Sequence, residues 1–144
     1  MSLLLLVNVA TTLFMVGVIW FVQAVHYPLF ARVGEADFPA YARAHARLTG
    51  LVVGPLMLLE AATAVALVLI RPQGVPVSLL WAGLGLVVVI WLSTAILQSP
   101  RHTELGRDFD HTSHRLLVAS NWLRTTSWSL RGLLVLAMVS EAAG

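Results

Sequence analysis

From Leu3 to Val25 the chain has no ionisable side chain, and a helix rising about 1.5 Å per residue carries those 23 positions across a hydrocarbon core of roughly 30 Å. Three more apolar stretches follow. Together they predict four spans at about residues 3–27, 48–70, 77–98 and 114–139. Pro28, following His26 and Tyr27, disfavours helical continuation and is expected to end the first span. Arg32 to Arg47 reads as a polar, alanine-rich connection. In the second span, Gly50, Gly54 and Pro55 predict a kink, because the proline ring clashes with the Leu51 carbonyl. The run Arg71-Pro72-Gln73-Gly74-Val75-Pro76 is a tight turn by composition, Ser99-Pro100 closes the third span, and Arg101 to Ser113 forms a second polar loop. The Met-Ser start and its four leucines lack the basic leader of a cleaved signal peptide, so the first span is expected to be retained. The simplest arrangement is all-α: residues 1–144 as a single domain, an integral membrane four-helix up-down-up-down bundle.

Composition narrows the class. Of 144 residues 58% are hydrophobic and 11% charged, with a mean hydropathy of +0.85, which leaves no room for a separate soluble domain. The absence of cysteine excludes thiolate nucleophiles, disulfides, iron–sulfur clusters and covalent haem. All nine basic residues are arginine, so a Schiff-base lysine and a phosphate-loop lysine are excluded as well. The pI of 9.9 rests on a formal charge of only +2, which points to membrane topology and away from nucleic acid. The two long connections hold Arg32, Arg43, Arg47, Arg101, Arg107 and Arg115 against Arg71 alone on the other side. The arginine bias predicts a cell inner membrane protein with both termini outside the cytoplasm.

All five histidines then fall at the cytoplasmic end, and each span carries a polar stripe at helical spacing. Span one has Trp20, Gln23, His26 and Tyr27. Span two has His45, Thr49, Glu60 and Thr63, span three Trp91, Thr94 and Gln98, and span four His114, Asn121, Arg124, Thr125, Trp128 and Arg131. Glu60, Arg124 and Arg131 cannot face lipid cheaply. Counted from the predicted span starts, Glu60 and Arg124 lie at similar depth. A Glu60–Arg124 pair is therefore expected, with Glu60–Arg131 as the alternative, and either leaves positive charge to hold an anionic or phenolate-like ligand. An apolar cavity walled by Trp20, Trp91 and Trp128, with Gln23, Tyr27, Gln98 and Asn121, would suit a flat aromatic small molecule.

Three other chemistries compete. His111 and His114 are three residues apart and, with His102, could hold a transition metal, although a His-x-x-His-His cluster is missing and Asp108 or Asp110 could simply cap span four. A b-type haem would need His26 with His45 or His114. A proton relay or pore would use Glu60 with His26 or His45, and with one acidic residue in four spans it would require a homo-oligomer. A structural or accessory subunit, in which Glu60 and Arg124 serve packing alone, is the third class. No Gly-rich phosphate loop, Gly-x-Ser-x-Gly or His-Glu-x-x-His is present.

A first helix with Gly17 ending in Tyr27-Pro28-Leu29, a polar connection, a third helix ending before a proline, and a last helix with Asn121-x-x-Arg124-Thr125 resemble the anthrone-oxygenase-like family of small four-helix membrane proteins. The resemblance covers the whole chain in layout, and the carried positions are Pro28, Asn121 and Arg124. The histidine-rich connections and Glu60 depart from the family pattern. The resemblance implies oxidation of an aromatic substrate without metal or flavin. In that chemistry His26 or His45 would be the base, having an ordinary pKa near neutrality, and Arg124 would hold the anion.

Overall fold

The computed structural model describes residues 2–143 and is helical nearly throughout. Four long helices carry the chain: α1 (Leu3–Arg32), α2 (Phe38–Ile70), α3 (Val77–Leu105) and α4 (His111–Ala143). α1, α2 and α3 are long and apolar enough to cross a membrane. α4 is as long as α2, but three arginines, Asn121 and many hydroxyl side chains hold its hydropathy below that mark. α1 packs against α2 and α4, and α3 packs against α4 and α2.

The helices exceed the predicted spans, for local reasons. The Arg32–Arg47 segment is mostly helix from Phe38 onward, because its alanines and arginines are good helix formers and Pro39 sits in the first turn, where its missing N–H is not needed. Pro28 and Pro100 do not end their helices. Each follows one π-helical turn, Val22–His26 in α1 and Thr94–Gln98 in α3, where Tyr27 N–H reaches the Val22 carbonyl and Ser99 N–H reaches the Thr94 carbonyl. The wider turn accommodates the proline ring that an α-turn would press against the preceding carbonyl. α2 runs through Pro55 without a break in its helix. It stops at Arg71, which takes a left-handed conformation (φ 51°) and donates to the Leu67 carbonyl. α4 starts on Asp110, whose carboxylate accepts from the Ser113 N–H, so the capping alternative for that aspartate holds.

Burial is inverted relative to a water-soluble bundle. Leu51, Leu58, Leu69, Ile96 and Leu133 are all more than 60% exposed, while Asn8, Thr12, Gln23, Glu60, Asn121, Thr125 and Arg131 are buried. Three apolar layers fill the interior: one around Leu5, Leu67 and Val135, a middle one around Met15, Ile19, Ile90 and Trp128, and one around Phe30, Phe38, Leu105 and Leu117.

A polar layer lies between the first two. Glu60 pairs with Arg131, not with Arg124, at 2.6 Å. Glu60 Oε1 also accepts from Thr12 (2.8 Å) and Oε2 from the Trp128 indole (3.0 Å), while Arg131 donates to the Gly83 carbonyl (2.7 Å) and to Asn8 (3.1 Å). The pairing follows from where the helices begin. Glu60 stands 22 residues into α2 and Arg131 stands 20 into α4, whereas Arg124 stands 13 in. The late start expected for α2 had brought Glu60 level with the wrong arginine.

Candidate functional site

A cavity of about 460 Å³ lies between α1, α2 and α3, next to the second polar cluster of the bundle. Its inner half is apolar, walled by Met15, Ile19, Val53, Met57 and Trp91. Its other half is polar, with Tyr27, His45, Thr49, Thr94, Gln98, His102, Thr103 and Arg124. Both π-helical turns abut it, contributing Val22, Thr94 and Gln98. Such turns recur at functional sites because they re-aim the residues that follow.

The polar end is built by mutual support. Gln98, 1% exposed, accepts from Ser93 (3.1 Å) and donates to Ser120 (3.3 Å). The Tyr27 hydroxyl meets His102 Nε2 at 2.8 Å, and the Tyr27 carbonyl accepts from His114 Nε2 at 2.8 Å. His26 Nε2 and His45 Nδ1 are 2.8 Å apart, with the Thr49 hydroxyl 3.1 Å from the same nitrogen. His45 therefore keeps Nε2 for the cavity.

Arg124 differs from Arg131 in having no carboxylate partner among the described residues. It is 7% exposed, donates to Asn121 Oδ1 (3.2 Å), lies 5.0 Å over the Trp128 ring and faces the Tyr27 hydroxyl. Asn121 is itself fixed by donating to Gln23 Oε1 (2.8 Å). Two buried side-chain nitrogens among the described residues have no hydrogen-bond partner, Arg124 Nε and His102 Nδ1, and both residues line this cavity. Their roles follow from donor counting. Arginine only donates, so the tyrosine proton is left for His102 Nε2, and neutral His102 carries its own proton on Nδ1. Both orphans are thus N–H donors, and a buried donor without an acceptor is costly.

No family model, curated protein or solved structure matches this chain.

Of the residues singled out in the sequence, Tyr27, His45, Trp91, Gln98 and Arg124 come together on the cavity, with His26 one hydrogen bond behind His45. Gln23 and Asn121 stand behind Arg124 as supports, and Glu60 and Trp128 belong to the ion-pair layer. Trp20 lies on the outside, 44% exposed, donating to Ser129 and edge-on to Trp122. His102, His111 and His114, grouped as metal ligands, are separated: His102 bonds Tyr27, His114 donates to a carbonyl, and His111 is exposed beside Phe109. No group of three or more metal-ligating side chains forms among the described residues. The haem pairing of His26 with His45 meets the same geometry, since two nitrogens 2.8 Å apart leave no room for an iron between them. Sequence reasoning passed over Gly50, Gly54 and Thr103 as cavity residues. The first two had registered only as kink signals.

Proposed function

We propose that the chain is a multi-pass inner-membrane protein, spanning up-down-up-down with both termini outside the cytoplasm, that binds a lipophilic aromatic molecule bearing an ionisable hydroxyl and oxidises it. The observation that carries this reading is the pair of unanswered donors, Arg124 Nε–H and His102 Nδ1–H, on one polar end of an otherwise apolar cavity. A phenolate or enolate oxygen supplies the missing acceptor and balances the Arg124 charge, while its ring fills the Met15, Met57 and Trp91 half.

The base is His45. Its Nε2 takes the ligand proton while its Nδ1 proton passes to His26 Nε2, so the charge is spread over two rings near the membrane edge. Arg124 and His102 hold the anion as it forms, in a site from which water is largely excluded. With an anthrone, loss of the ring C–H proton gives a carbanion that reduces dioxygen at that carbon to a hydroperoxide. Loss of water then breaks the O–O and remaining C–H bonds, so anthrone and dioxygen become anthraquinone and water. The substrate supplies the electrons, in keeping with the anthrone-oxygenase-like layout of Pro28, Asn121 and Arg124.

The test uses the purified full chain in lipid nanodiscs. Calorimetric titration with 4-nonylphenol should show stoichiometric binding, weakened about tenfold or more by Arg124→Met, as expected for loss of a hydrogen bond to a charged group. Anthrone should be turned over with one dioxygen consumed per anthraquinone, and His45→Phe should abolish turnover while retaining 4-nonylphenol. No binding of the alkylphenol overturns the site. Binding without anthrone turnover overturns the oxidation and leaves a binding protein.

A further inference from the structure

The cavity is covered by an aromatic layer on one side and exposed on its flank between α2 and α3. Toward the connections 33–37 and 106–110, Phe30, Phe38, Leu105 and Leu117 are fully buried, with Phe38 packed 5.6 Å from Phe30 and 4.6 Å from Phe109. That aromatic layer stands between the polar end of the cavity and those connections. On its flank, by contrast, Ala46, Gly50, Ser99 and Thr103 are exposed although they line the same cavity. Gly54 is half-buried and Trp91 is 37% exposed. The surface beside Gly54 and Trp91 is apolar, with Leu51 69% exposed, Leu58 62%, Leu92 54% and Ile96 65%, whereas Arg47 and Glu104 are exposed beside Ala46 and Thr103 at the other end of the opening.

Packing does not require the two glycines of the opening. A Cβ added at Gly50 or Gly54 would meet nothing within 4 Å, and a helix-interior glycine is unfavourable by about 1 kcal/mol relative to alanine. What they provide is clearance. Along the opening, character runs from hydroxyls at Ser99 and Thr103 to the bare backbone of Gly54 and the ring of Trp91, which is the order of polarity a molecule meets when anchored at a membrane interface with its body among the acyl chains.

We infer that the ligand enters sideways from the bilayer, through a slot between α2 and α3 framed by Ala46, Gly50 and Gly54 on one side and Trp91, Ser99 and Thr103 on the other. The molecule this site takes is then a bilayer-resident amphiphile, its ionisable oxygen at interface depth and its apolar body deeper, and not a solute delivered from water. The inference rests on the reading of the cavity as a lipophilic-phenol site and adds the route and the phase from which the substrate comes.

The cysteine-free chain permits a direct test. A spin label attached to Gly54→Cys in nanodiscs should be relaxed by dissolved oxygen and not by a water-soluble nickel chelate, and 4-nonylphenol should restrict its motion. Gly54→Phe, whose Cβ would meet nothing within 4 Å, should keep its unfolding midpoint and lower the 4-nonylphenol association rate by roughly tenfold or more, since a gated approach limits the on-rate. Relaxation by the nickel chelate, or equal association rates for wild type and Gly54→Phe, would overturn the slot while leaving the binding site in place. Failure of the wild type to bind 4-nonylphenol would remove the site itself.

Discussion

Separating Glu60 from Arg131 should be among the most destabilising changes available in this chain, and removing both partners together should cost no more than removing one. The side chains are 3% and 1% exposed, and their contacts reach both helices beyond their own pair, Thr12 and Asn8 on α1 and the Gly83 carbonyl on α3, with Trp128 of α4 also donating to Glu60. Glu60→Gln leaves a buried guanidinium facing an amide, and Arg131→Met leaves a buried carboxylate with only neutral donors. Each stranded charge is worth about 3–5 kcal/mol. In Glu60→Gln/Arg131→Met no charge is stranded, and the residual cost is the Gly83 carbonyl and Asn8 oxygen left without their donor, about 1–3 kcal/mol apiece at most. The double variant should therefore cost about as much as one single variant, a coupling of about 3 kcal/mol, at the upper end for contacting residues. Urea unfolding in detergent micelles, followed by tryptophan fluorescence and far-ultraviolet circular dichroism together, measures all four species. Additive losses, with the double variant falling to the sum of the singles, would refute the reasoning.

Arg124→Met should behave oppositely to Arg131→Met in the same assay, costing less than about 1 kcal/mol or raising stability, because it removes a buried cation that has no carboxylate to strand; a loss as large as that of Arg131→Met would contradict the assignment. The backbone N–H of Ser113 holds the Asp110 carboxyl below its ordinary range, so the cap contributes fully at neutral pH and is lost as pH falls through the folded-state value. Asp110→Asn should thus lack the loss of α4 helicity that wild type shows by circular dichroism below about pH 4, and identical acid titrations would contradict it. Gly74 adopts φ 80°, and a Cβ there would stand 3.0 Å from the Glu141 carbonyl oxygen, so Gly74→Ala should lower stability by about 1–3 kcal/mol, read as a drop in unfolding midpoint.

Helix number and approximate position were legible because uninterrupted apolar stretches of this length have few other solutions. The boundaries were harder to read at prolines. Pro28 and Pro100 look like stops when judged by α-geometry alone, and only the π-helical turns before them, which no local residue pattern announces, let the helices run on. A separate boundary decided the ion pair: with Arg32–Arg47 read as a connection, α2 starts ten residues late and Glu60 falls level with Arg124. The polar stripes singled out Tyr27, His45, Gln98 and Arg124, and the structure brings these four to one cavity. His102 was grouped with His111 and His114 by closeness in sequence, although it sits on α3, whereas those two begin α4. Gly50 and Gly54 were visible as residues, but their role depends on a neighbour being absent, which periodicity does not report.

The two π-helical turns also act as phase shifters. Each holds one residue more than an α-helix would use over the same rise, so the segments beyond, Tyr27–Leu29 in α1 and Ser99–Leu105 in α3, are rotated by about 100° relative to an unbroken helix. The face that presents Tyr27 and His102 to each other is thereby set separately from the faces of α1 and α3 that carry Asn8, Thr12 and Gly83 to the ion pair. Deleting a single residue within Val22–His26 would swing Tyr27 out of the cavity wall and Phe30 out of the aromatic layer, and leave the Glu60–Arg131 layer in register. The bundle's anchor and its ligand end are in this sense independently adjustable, and gain or loss of one residue at either turn is the smallest step by which a chain of this design could change what it binds without changing how it folds.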